Sequence, residues 1–97
     1  MREQKLITTK VAGNDDNKEL MLEYYLTEKE SEETKELIYG ISVTKRCENQ
    51  VESDVVDNIS YEKQQVLDLL HIISENTVTP ICLAEVLDDL MTERMYS

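Results

Sequence analysis

The spacing of apolar residues changes once along this chain, and the change divides the chain into two parts. Up to Ile59 the apolar residues recur at every second position, whereas from Ser60 onward they recur at every third or fourth. Side chains alternate between the two faces of a strand and return to one face of a helix after about 3.6 residues. The pattern therefore predicts a sheet followed by helices, within a single domain of 97 residues.

Three segments have the alternation of half-buried strands. The clearest are residues 20–27 and 37–44, and a shorter segment at 6–11 precedes them. Residues 13–17 have the Gly, Asn and Asp composition of a turn. The charged segment 28–36 is predicted to be a solvated connection or the protruding ends of a hairpin.

A fourth strand is less clearly indicated, at residues 50–58, where three valines are the apolar residues and carboxylates would discourage edge-to-edge pairing. The expected fold class is α+β. It is a three-stranded antiparallel meander at about 5–58, with this segment as an optional fourth edge strand, packed on a C-terminal two-helix hairpin. Gly40 inside the third strand predicts close approach by another backbone or by a bulky side chain, such as a helix that crosses the sheet.

The two helices are predicted at about 61–75 and 80–94, each with its own start signal. Ser60 is a candidate N-cap for the first helix, because a serine hydroxyl can accept a bond from an unpaired N–H of the first turn. Thr79-Pro80 marks the second start, since a proline at the first helical position loses no hydrogen bond.

The apolar stripe of the first helix is wider than the ~100° that a half-exposed helix needs. Leu67 and Ile72 flank its central residues and widen it. We therefore expect this helix to be buried on more than one side, between the sheet and either the second helix or another subunit.

The charge of the chain excludes several classes of partner. Asp and Glu number 21 against 10 Lys and Arg, a net charge of −11, and Lys45-Arg46 is the only adjacent basic pair. Proteins that bind nucleic acid neutralise phosphates with clustered basic residues, so no nucleic-acid partner is expected. No apolar run reaches the ~20 residues that span a bilayer, and residues 1–10 lack a secretory signal, so we expect a cytoplasmic protein with no membrane partner.

No motif for catalysis or for a cofactor is present, so the chain is not expected to be an enzyme or to bind a cofactor or a metal. His71 is the only histidine, and Cys47 and Cys82 are 35 positions apart, whereas a zinc site needs about four converging ligands. Cys82 lies among apolar residues and is the better candidate for a buried thiol. An alternative function is the binding of a small molecule or a divalent cation, with Asp15, Asp16 and the sheet tyrosines as contacts.

The leading hypothesis is a non-enzymatic protein-interaction or regulatory module. Leu67 and Ile72 would supply an apolar contact, and Glu85, Asp88 and Asp89, which share the polar face of the second helix, would supply a charged one. The partner would be another protein or a second copy of the chain as a homodimer.

The C-terminal half also resembles a family of small acidic clostridial proteins known only as a domain of unknown function. The resemblance covers about residues 20–91. It implies a bacterial, cytoplasmic setting and transfers no catalytic or binding residue. It is carried by Tyr39-Gly40-Ile41, Asn58-Ile59-Ser60, the segment from Glu75 to Leu83, and Val86-Leu87-Asp88-Asp89.

Overall fold

The computed structural model describes residues 3–13, 19–48 and 50–96, which form an antiparallel sheet followed by helices on one of its faces. The expected α+β class is confirmed. A one-turn 3-10 helix at Pro80–Cys82 precedes the last helix. The other elements are β1 (Glu3–Gly13), β2 (Glu19–Glu30), β3 (Leu37–Cys47), β4 (Gln50–Ser60), α1 (Lys63–Glu75) and α2 (Leu83–Tyr96).

The described strands pair in the order β1-β2-β3-β4, each antiparallel to the next. The optional fourth strand is thus a full strand of 11 residues at the edge of the sheet. Of the turn predicted at residues 13–17, Gly13 is the last residue of β1, and residues 14–17 lie outside the described residues. The charged segment is divided between strand and loop: β2 continues to Glu30, and Ser31 and Glu36 close the loop by a backbone bond of 2.8 Å.

The core lies between the sheet and the helices. Leu26 of β2 pairs with Ile41 of β3, and Tyr24 pairs with Val43, so one face of the sheet is continuously apolar. Helix α1 contacts all four described strands and α2, which accounts for its wide apolar arc. The buried apolar residues are Leu22, Tyr24, Leu26, Ile41, Val43, Val66, Leu69, Leu70, Ile73, Val78, Leu83 and Leu87.

The start of α1 differs from the prediction. Ser60 is the last residue of β4, where it pairs with Tyr39, and α1 begins at Lys63 with Glu62 in the N-cap position. The Ser60 hydroxyl accepts from the Glu62 backbone N–H at 3.1 Å and donates to the side chain of Gln65 at 2.9 Å. Ser60 as the N-cap was therefore wrong: strand pairing extends through it, and its hydroxyl bridges the strand and the helix instead.

The C-terminus of α1 ends in a Schellman motif. The Val78 N–H donates to the Ile73 carbonyl and the Thr77 N–H donates to the Ser74 carbonyl, both at 3.1 Å. This geometry needs a left-handed residue, usually glycine, after the helix. Here Thr77 takes that conformation with φ 47°.

The second predicted helix start is confirmed, with one change in its first turn. Thr79 is the N-cap and Pro80 follows at the first helical position, but the first turn is a 3-10 helix closed by the Cys82 N–H on the Thr79 carbonyl at 3.1 Å. Just before it, the buried Tyr24 hydroxyl donates to the Val78 carbonyl at 3.0 Å. This bond joins the centre of the sheet to the connection between the helices.

Candidate functional site

Strand β4 carries a bulge near its end. Ile41 pairs with Val56 and Tyr39 pairs with Ser60, so Asp57, Asn58 and Ile59 stand opposite Gly40 alone. Asn58 is left-handed, with φ 59°. Asparagine tolerates this conformation better than most residues, and extra residues of this kind bend a strand and re-aim its side chains.

Gly40 makes the bulge possible. A Cβ placed on Gly40 would collide with the Val56 carbonyl oxygen, and would lie only 2.9 Å from the Asp57 Cα and 2.7 Å from the Thr27 hydroxyl. The predicted close approach at Gly40 is therefore confirmed, and the approaching group is the backbone of β4 rather than a helix.

The bulge also fixes Asp57. The Thr27 hydroxyl, in a residue that is 1% exposed, donates to the Asp57 carboxylate at 3.4 Å. Asp57 is half-buried at the edge of the sheet. The bulge thus turns the Asp57 carboxylate across Gly40 toward Thr27 of β2.

The bulge and α2 together form a groove of about 590 Å³. Its floor is apolar and includes Leu87 and Met91 of α2, with Val56 and Ile59 of β4. Its rim is acidic. Among the described residues that line it, three are carboxylates, Asp57, Glu85 and Asp88, and none is a lysine or an arginine. We call this site the α2–β4 groove.

The structure separates the residues that the sequence proposed for a charged contact. Glu85 and Asp88 are exposed and line the α2–β4 groove, whereas Asp89 is exposed but does not line it. One residue along a helix corresponds to a rotation of about 100°. Asp89 is about 100° from Asp88 and about 40° beyond Glu85, so it lies just outside the rim of the groove.

The two residues proposed for an apolar contact do not form one surface. Leu67 packs against the core and lines a cleft beside β1 with Ile7 and His71, and Ile72 is half-buried. Leu67 and Ile72 are five positions apart, about 140° around the helix axis. They lie on opposite flanks of α1, and neither lines the α2–β4 groove.

Sequence reasoning missed half of this groove. Val56 and Asp57 lie in the segment whose strand character was weak, and the bulge has no short sequence signature of its own. The one available signal was Gly40, because a glycine inside a strand marks close approach of another backbone. Gly40 showed that another part of the chain comes close to β3 at this position, but it gave no indication of which segment that is.

Other candidate chemistry is dispersed. The described residues hold no group of three or more His, Cys, Asp or Glu side chains placed to bind a metal ion, and Asp15 and Asp16 lie outside those residues. Cys82 is exposed and Cys47 is half-buried, so the expectation that Cys82 would be the buried thiol was wrong. The 3-10 turn directs Cys82 outward while its neighbour Leu83 enters the core.

A second depression of about 570 Å³ lies at the loop between β2 and β3. Its lining has both signs of charge, Lys29 together with Glu30, Glu32 and Glu33. The Tyr61 hydroxyl donates to the Ser31 hydroxyl within it at 3.4 Å. Its mixed charge favours no class of ligand as clearly as the α2–β4 groove does. Among the described helices, none has the length and apolar character that would let it cross a membrane.

Fold and groove together define an α+β domain in which an antiparallel meander is covered on one face by two helices. The model of the family of unknown function DUF6514 matches residues 3–93, and the chain belongs to that family. The match takes in β1, which the resemblance seen in the sequence did not include. Comparison with curated proteins and with solved structures gave no match.

Proposed function

We propose that this chain is a non-enzymatic protein-interaction module that binds a basic, amphipathic segment of a partner protein in the α2–β4 groove. One observation carries the proposal: an apolar floor and an acidic rim occur in the same groove. Apolar side chains of the bound segment would cover Met91, which is 38% exposed, and the half-buried Val56 and Ile59. Its lysines or arginines would reach Glu85 and Asp88.

The charge of the whole chain supports this choice of partner. A net charge of −11 raises the local concentration of cationic segments and speeds their encounter with the protein, an effect that salt weakens. Exposed carboxylates such as Glu85 and Asp88 lack the desolvation that usually tunes a general acid or base. The groove is therefore better suited to binding than to catalysis.

The adjacent residues Asp88 and Asp89 provide a matched pair for the test. The probe is a fluorescent synthetic helix with leucines on one face and lysines on the other. The control is the same helix with glutamates in place of the lysines. Binding is measured by fluorescence anisotropy. We expect the Leu/Lys helix to bind and the Leu/Glu helix not to bind.

Each rim contact of this kind contributes about 0.3–1 kcal/mol. Glu85→Gln combined with Asp88→Asn should therefore weaken binding of the Leu/Lys helix about 3- to 30-fold. Asp89→Asn changes the net charge by the same amount as Asp88→Asn but lies outside the groove, so it should have little effect. An equal loss from Asp88→Asn and Asp89→Asn would show a general attraction to an acidic protein and would contradict the proposed site.

A second variant tests the groove without changing its charge. Ala84 is exposed on the groove wall, so Ala84→Trp should fill the groove while leaving the core intact. We expect it to abolish binding of the Leu/Lys helix. Undiminished binding by Ala84→Trp, with an unchanged melting temperature, would place the contact elsewhere.

A further inference from the structure

The face of the sheet that points away from the helices, which we call the outer face, is rich in exposed apolar side chains. Strand register places Val11 beside Met21 and Val51 beside Arg46 on this face. Val11 is 62% exposed and Val51 is 56% exposed. The apolar residues of the outer face are Leu6, Val11, Met21, Tyr25, Ile38, Val51 and Val55.

The outer face also lacks the negative charge of the rest of the chain. Its described charged side chains are Glu23, Lys29, Arg46 and Asp57, whose carboxylate accepts from the Thr27 hydroxyl on this face, so two are acidic and two are basic. The whole chain has 21 acidic and 10 basic residues. Two copies of such an acidic protein repel each other, and the balanced charges of this face add little to that repulsion.

The size of the outer face matches a standard interface. The four described strands are 11 or 12 residues long. With about 3.3 Å per residue and about 4.8 Å between strands, the face measures roughly 19 by 36 Å, or about 700 Å². Two stacked faces would bury about 1,400 Å² in total, within the range of about 1,200–2,000 Å² for stable complexes.

One ion pair on this face is self-complementary under twofold symmetry. The Arg46 guanidinium bonds the Glu23 carboxylate across the strands β3 and β2, and this contact raises the pKa of Arg46. In a twofold dimer each contact occurs twice, so Arg46 of one copy can face Glu23 of the other and the reverse. The apolar side chains around the pair would then be removed from water in both copies.

We propose that a second copy of this chain stacks on the outer face, forming a homodimer in which two sheets pack face to face with the helices outside. Face-to-face sheets pack about 10 Å apart with their strands nearly aligned. Edge addition at β4 is disfavoured because that edge carries Glu52 and Asp54. The α2–β4 groove lies on the helical side, so the dimer leaves two grooves open.

Sedimentation equilibrium of the purified chain tests the proposal. From about 1 to 500 µM, a range that spans weak and standard interfaces, we expect a shift toward twice the chain mass of 11.3 kDa. Added salt should strengthen the dimer, because it screens the repulsion between two chains of charge −11. A single-chain mass throughout this range would overturn the proposal.

Matched variants locate the interface. Met21→Glu puts a carboxylate on the outer face and should return the protein to the single-chain mass. Ile81→Glu makes a comparable change at a residue that is 82% exposed on the helical side, and should leave the dimer intact. If Met21→Glu does not fold, as judged by loss of a cooperative melt, Val51→Glu at a more exposed position replaces it. If the dimer persists in the outer-face variants, this interface is refuted. Dissociation of the dimer by Ile81→Glu would refute it as well.

Complementary charge changes give a stricter test. In Arg46→Glu each copy has a glutamate at both position 23 and position 46, and in Glu23→Arg each copy has an arginine at both. Like charges would then face each other across the interface, so each variant alone should be monomeric. An equimolar mixture should form a mixed dimer, because every contact then joins opposite charges. A mixture that stays monomeric would contradict the proposed pairing. Asp88→Asn should not alter the dimer, which separates this test from that of the groove.

Discussion

Tyr24 gives the sharpest prediction about stability, because its hydroxyl is the direct bond between the centre of the sheet and the connection between the helices. Tyr24 is 0% exposed and donates to the Val78 carbonyl at 3.0 Å. Tyr24→Phe keeps the ring and removes only the hydroxyl, so the Val78 carbonyl loses this partner. A buried polar group left without its bond costs about 1–3 kcal/mol, and the bond itself contributes about 1 kcal/mol net.

We therefore expect Tyr24→Phe to lower the free energy of unfolding by about 1–2 kcal/mol at pH 8. In a domain of this size that corresponds to a fall of about 5–15 °C in melting temperature. Tyr61→Phe is the control: Tyr61 is 45% exposed, and its bond to Ser31 at 3.4 Å lies at the surface. Its cost should be below about 0.5 kcal/mol.

The same residue sets a dependence on pH whose sign can be worked out. Burial raises the pKa of Tyr24 from 10.0 to about 12. The unfolded chain thus releases this proton first, and the stabilisation by the neutral hydroxyl, complete below pH 10, is lost as the pH rises from about 10 to 12. By pH 11 the wild type should have lost about 1.4 kcal/mol that Tyr24→Phe does not lose.

The two proteins should therefore become equally stable near pH 11, as measured by urea unfolding from pH 8 to 11.5. Because each is compared with the other at the same pH, titration of the remaining tyrosines and lysines cancels. A constant difference across this range, or one that widens with pH, would refute the reasoning that the Tyr24 hydroxyl is buried and bonded.

Three further substitutions test the backbone geometry at Thr77 and Gly40 and the role of Ser60 before α1. Thr77→Gly should raise the free energy of unfolding by about 1 kcal/mol, because a β-branched residue occupies the left-handed position at φ 47°; a calorimetric melt that falls would contradict the Schellman geometry. Gly40→Ala should destabilise by about 2 kcal/mol or more in urea unfolding, since its Cβ meets the β4 backbone; an unchanged midpoint would mean that the bulge is not pressed against β3. Ser60→Ala should cost less than about 0.5 kcal/mol, because Ser60 caps no helix and its bonds are exposed; a loss of about 1 kcal/mol or more in the same assay would restore it as a cap.

Local patterns predicted the elements of the fold well. The alternation at Leu22, Tyr24 and Leu26 defined the buried face of β2, and Thr79-Pro80 defined where the second helical segment begins. Both are local effects, since the position of a side chain on a strand and the fixed φ of proline depend only on near neighbours.

Predictions failed where pairing or backbone geometry opposed the preference of a single side chain. Ser60 has the chemistry of an N-cap, but pairing with Tyr39 keeps it in β4. Cys82 has apolar neighbours in sequence, but the 3-10 turn exposes it. For Ser60, strand pairing thus outweighed a capping preference of about 1 kcal/mol.

The sequence by itself determined that this chain is an acidic α+β domain with a sheet before its helices, because charge and periodicity are properties of the chain read in order. It also supplied Glu85 and Asp88 as charged candidates. Only the tertiary structure decided that these two residues and Asp57 line one groove while Asp89 does not, and that the helices leave one face of the sheet uncovered. Residues nearly 30 positions apart meet only when a bulge opposite Gly40 and the packing of α2 bring them together, and no local pattern records that packing.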